Sequence, residues 1–63
     1  MTTEDVLEAL GRYKEESRES ERQTATKLGV NRTTLTAWLG GKDRPQHFML
    51  ARLAGFLKRV GYL

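Results

Sequence analysis

The chain has 63 residues, 38% of them hydrophobic and 30% charged, with a formal net charge of +3. This permits one domain, close to the size below which a single apolar core no longer sustains itself. With no cysteine and one histidine, disulfides, thiolate metal sites and a histidine metal cluster are excluded, and no apolar run approaches the roughly 18 residues that cross a bilayer.

Charge is divided unevenly along the chain. Met1 to Glu21 hold seven acids against three bases, whereas Arg22 to Leu63 hold eight bases against one acid, Asp43. This asymmetry points to a polyanionic partner for the later part, with the acidic segment facing away from it. Met1 to Glu8 does not read as a signal peptide, so the expected location is cytoplasmic and no membrane partner is expected.

Thr2 with Asp5 forms a capping box for a first helix over about Thr3 to Ser17. Val6, Leu7, Leu10 and Tyr13 recur at helical spacing as its buried stripe. Gly11 lies inside it and reads as a close-packing contact. Glu15, Glu16 and Glu19 read as acids on a solvated face, and Arg18 and Glu19 as the connecting loop. Ser20 caps a second helix, with Gln23 completing the box, and that helix runs to about Leu28. Ala25 is small enough to let another helix cross closely, and Gly29 supplies the positive φ that ends the helix sharply.

Asn31 caps a third helix, about Arg32 to Leu39. At about 100° per residue, Leu35, Trp38 and Leu39 fall on its core side, opposite Thr33, Thr36, Ala37 and Gly40. Trp38, aligned with two leucines, is read as core rather than as a base-stacking platform. In the loop Gly40 to Pro45 the glycines end the helix and the proline suits the first turn of the next. Lys42 and Arg44, just past the third helix, are candidate phosphate clamps. A last helix is expected from about Gln46 to Arg59, with Leu50, Leu53, Ala54 and Leu57 as its core stripe. His47 in its first turn reads as a surface side chain, and Gly55 as a site of close helix approach. Met49, Phe56 and Val60 form a second apolar stripe. With Tyr62 and Leu63 they read as a self-association surface, or else as a C-terminus folded back over the domain. No strand is predicted.

The expected fold is therefore all-α, a compact four-helix helix-turn-helix domain over residues 1–63 with its helix-turn-helix at 20–40. A short helix with Asn, Arg and Thr at the N-terminal end of its exposed face can enter a groove about 12 Å wide and touch base edges. An enzyme would need a cleft with paired titratable groups, which neither length nor composition supplies. Single-stranded RNA binding would need an aromatic platform that is missing. No cofactor, metal or small-molecule ligand is expected.

LGVNRTTLTAWLGGKDRP followed by FMLARLAGFL resembles the helix-turn-helix and following helix of the Cro/repressor (XRE-like, lambda repressor-like) family of bacterial and phage regulators. The likeness spans about Glu21 to Leu57. It includes Ala25, Gly29, Leu35 and Trp38, the loop residues Gly41, Lys42 and Pro45, and the register Leu50, Leu53, Ala54, Leu57. Glu4 to Leu35 bears a weaker resemblance to the DNA-binding domain of Fis-type activators. Either likeness implies a recognition helix in the major groove. It also implies base contacts from Asn31, Arg32, Thr33, Thr36 and Ala37 and backbone contacts from Arg22, Gln23, Lys42 and Arg44. Glu21 departs from the family, which usually has Gln there, and Ala37 and Gly40 offer little hydrogen bonding.

The expectation is a nucleoid-associated transcriptional regulator of the phage or plasmid repressor type, in a bacterial or phage-infected cell. It would bind double-stranded DNA as a homodimer, formed in solution or on DNA only. The alternative is a protein-interaction module, an antitoxin or adaptor, that uses the apolar last helix.

Overall fold

The computed structural model describes residues 2–63, so Met1, the first residue of the expected domain, lies outside the described residues. The described residues form four helices and no strand: α1 (Thr3–Ser17), α2 (Glu21–Leu28), α3 (Arg32–Leu39) and α4 (His47–Arg59). Each of the first three starts where its cap was expected. Thr2 and Asp5 close a reciprocal box on α1, Ser20 and Gln23 do the same on α2, and Asn31 Oδ1 accepts from the Thr34 amide at 2.9 Å at the start of α3. The last helix differs at its start. Gln46 is its N-cap without a side-chain bond, and Pro45 lies buried in the loop before the helix rather than in its first turn. There the proline fixes the approach of the chain to the core instead of initiating α4.

The apolar stripes converge on one core. Val6, Ala9, Leu10 and Tyr13 of α1 meet Ala25 and Leu28 of α2, Leu35 and Trp38 of α3, and Leu53 and Leu57 of α4. Leu50 and Ala54 are partly buried beside them. Helix α1 packs chiefly on α4, and α2 on α3, with further contact between α1 and α3 and between α2 and α4. Complete burial of one leucine contributes about 1.5–3 kcal/mol, and four leucines (Leu10, Leu35, Leu53 and Leu57) are completely buried here.

Two glycines behave differently from expectation. A Cβ built on Gly11 or Gly55 meets nothing within 4 Å, so neither permits a close helix approach, and each only weakens its helix relative to alanine. The apolar C-terminal side chains also divide. Tyr13 receives Phe56 and Tyr62 edge-to-face, with centroid separations of 5.2 and 5.6 Å and interplanar angles of 87° and 89°. The Tyr62 hydroxyl donates to Glu16 at 2.8 Å. Phe56 and Tyr62 thus pack on α1 within the chain, each of them still partly exposed. Met49 is partly buried, and Val60 and Leu63 remain on the surface.

The junction of α1 and α2 carries a polar cluster that the spacing of acids did not reveal. Arg18 ends α1 in the left-handed region (φ 59°), and Glu19 then turns inward instead of facing solvent. Its carboxylate pairs with the Lys27 ammonium and accepts from the Tyr13 hydroxyl at 3.1 Å and from the fully buried Thr24 hydroxyl at 3.2 Å. Among the described residues no buried side-chain nitrogen or oxygen lacks a partner.

The Lys27 hydrogen bond, helped by that of Tyr13, holds the Glu19 carboxyl below the usual carboxylate range, against the opposing effect of burial. A carboxylate depressed in the folded state contributes stability that is present above its unfolded pKa and lost as pH falls through the folded one. Glu4 and Asp5 act in the same direction, held low by Arg44 and by Thr2 respectively. The melting temperature is expected to fall as pH drops below the carboxylate range, and Glu19→Gln to flatten part of that decline. Circular dichroism melts at stepped pH check this, and an unchanged acid limb in the variant would count against the cluster.

Candidate nucleic-acid interface

Helix α3 spans eight residues, a length at which an isolated helix is not stable in water. Its position is imposed by its neighbours and by the turns at its ends. At the first turn the Val30 amide donates to Ala25 O at 3.0 Å and the Gly29 amide to Thr26 O at 3.2 Å, with Gly29 at φ +76°. At the second, the Lys42 amide donates to Ala37 O at 2.9 Å and the Gly41 amide to Trp38 O at 3.3 Å, with Gly41 also at φ +76°. Both are Schellman arrangements, in which the glycine takes the left-handed position that lets two amides reach back to the last turn. The helix ends fall where the glycines predict, but nothing local in the sequence signals the guanidinium of Arg52. That group donates to Leu28 O at 3.4 Å and lies over Gly29, where a built Cβ would come within 3.0 Å of it.

With Leu35 and Trp38 buried, the opposite side of α3 faces out. Arg32, Thr33, Thr36 and Gly40 are exposed, Ala37 is half-buried, and together with Lys42 they line one shallow concavity. It holds two cations, two hydroxyls and no carboxylate. Of the five expected base-contacting residues, the structure gathers Arg32, Thr33, Thr36 and Ala37 here. Asn31 is set apart, because its Oδ1 is occupied by the Thr34 amide and, at 3.0 Å, by the Thr34 hydroxyl. Only its amide nitrogen is left to donate elsewhere.

The four expected backbone-contacting residues fall at three places. Lys42 borders the α3 concavity. Arg22 and Gln23 line a separate depression along α2 with Glu19, Thr26 and Lys27. Gln23 Oε1 is already used by the Ser20 amide at 3.0 Å, so its nitrogen is the remaining donor. Arg44 lines a cleft between α3 and the start of α4, beside Asn31, Thr34 and Trp38. Its guanidinium forms an ion pair with Glu4 at 3.0 Å. Phe48, 62% exposed, stands on the α4 side of the same cleft.

None of the described helices is long and apolar enough to cross a membrane. Compared with protein-family models, with curated proteins and with solved structures, the chain matches none.

Replacing Gly29 by alanine forces a side chain into the left-handed region and against Arg52. The expected cost is about 1–2 kcal/mol of folding stability, measured by urea denaturation. Most of it should persist in an Arg52→Ala background, since the backbone strain remains. Full relief there would show the guanidinium, not φ, to be the constraint.

Proposed function

We propose that the chain is a sequence-preferring double-stranded DNA-binding protein, a transcriptional regulator of the Cro/repressor type, with α3 entering the major groove. The observation that carries this is the outward face of α3. Arg32, Thr33 and Thr36 stand on it, small residues lie behind them, Lys42 sits at its edge, and no carboxylate lines the concavity. Arginine and threonine are the donors that read base edges and phosphates, and small side chains let a helix sink into a groove. A face held by a buried leucine and tryptophan is also rigid enough to present these groups in a fixed order.

A domain of this size makes few phosphate contacts, so the proposed functional form is a homodimer, in solution or on DNA, reading two half-sites about 10 bp apart. The rival role, a protein-binding module built on the last helix, is weakened by the burial of part of its surface: Phe56 is engaged with Tyr13.

Titration of a fluorescent random-sequence duplex at two salt concentrations, followed by selection from a randomised pool, tests the proposal. Salt-sensitive binding and enrichment of a two-fold symmetric sequence are expected, and no binding at low salt would overturn it. Arg32→Ala should cost about 1–3 kcal/mol on the selected sequence and relax preference at one base position. An equal loss on every sequence would reassign Arg32 to the phosphates. Lys42→Ala should weaken all sequences alike and reduce the slope of log affinity against log salt by about 0.9. An unchanged slope would remove Lys42 from the interface.

A further inference from the structure

Two cations of the basic segment, Lys27 and Arg44, are paired with carboxylates from the acidic segment, and the two pairs differ in kind. Lys27 is bound to Glu19, which is only 16% exposed and is itself anchored by Tyr13 and Thr24. The Lys27 ammonium also donates to the Tyr13 hydroxyl at 3.4 Å. That pair belongs to the fold. Arg44 and Glu4 meet at 3.0 Å with side chains 66% and 65% exposed. An ion pair so exposed is weakly held and exchanges readily.

We infer that Glu4 competes with DNA phosphate for the Arg44 guanidinium and thereby sets the affinity of the proposed interface, an inference that rests on the DNA-binding reading above. A carboxylate and a phosphate offer arginine the same paired oxygens, so one can replace the other on the same fork. Arg44 is placed for such an exchange. Its amide donates to Asp43 Oδ1 at 2.8 Å, the buried Pro45 follows it, and the residue lines the cleft beside Asn31 at the N-terminal end of α3. Glu4 holds one guanidinium nitrogen, Nη1, so a phosphate that takes the paired fork must displace or share it, and it does so close to the Glu4 carboxylate and to that of Asp43, which lines the same cleft. Glu4 thus lowers affinity twice, by occupying Arg44 before binding and by repelling phosphate after it.

The test is a double-mutant cycle on duplex binding, using the fluorescent random-sequence duplex at low and moderate salt with wild type, Glu4→Gln, Arg44→Ala and the double variant. Glu8→Gln removes the same charge one turn further along the exposed side of α1 and serves as the control. Glu4→Gln is expected to tighten binding about twofold to fivefold, to do so more than Glu8→Gln, and to lose the gain when Arg44 is alanine. Melting temperatures of all variants establish that each is folded. No gain, an equal gain from Glu8→Gln, or a gain that survives Arg44→Ala would overturn the inference while leaving DNA binding intact. Absence of wild-type binding at low salt would instead remove the DNA-binding reading, and this inference with it.

Discussion

A helix of two turns has too few internal hydrogen bonds to hold itself in water, so something else must keep α3 in shape. The burial of Leu35 and Trp38 does so. These two side chains fix which side of α3 is lost to the core, and by subtraction which side is left to face outward. Every exposed group on α3 owes its direction to that choice. The caps and glycine turns at the two ends refine the position, but each contributes only about 1 kcal/mol, whereas the two buried side chains contribute several.

Tyr13 plays the matching part at the other side of the molecule. Its ring meets those of Phe56 and Tyr62 nearly at right angles, and its hydroxyl joins the Glu19 and Lys27 pair. One side chain thereby ties the C-terminal segment and the α1–α2 junction to the same helix. Total stability in a domain this small is a narrow difference between large opposing contributions, and a residue that serves two elements is accordingly hard to replace. The arrangement also separates charge. The acids that are satisfied internally lie on the α1 side, and none lines the outward concavity of α3.

Much of this could be read from the residues. Capping boxes, helical spacing and the glycine after α2 are local codes in which the residues that matter lie within a few positions of each other, and they located all four helices. The outward face of α3 followed from counting around the helix. What escaped was non-local. Glu19 read as a solvated acid in the connecting loop, and only the fold brings it, with Thr24 and Lys27, against Tyr13. Arg52 lies far along the chain from the turn it covers. Glycines inside α1 and α4 looked like contact points, yet nothing approaches them. The contact of the C-terminal aromatics with Tyr13 was likewise not visible in the spacing, because Tyr13 lies more than forty positions away.

The guanidinium of Arg52 makes the turn between α2 and α3 a shared property of two distant stretches of chain. It donates to the last carbonyl of α2 and lies against Gly29, although it belongs to α4. The helix pair is therefore not a portable cassette. Moved alone into another scaffold, the stretch from Ser20 to Gly40 would keep its caps and its glycine but lose both the roof over its turn and the α1 and α4 side chains beneath Leu35 and Trp38. The smallest unit that carries the geometry of α3 is the whole bundle, and a change in α4 that shifts Arg52 acts on how α3 is presented without touching α3 itself.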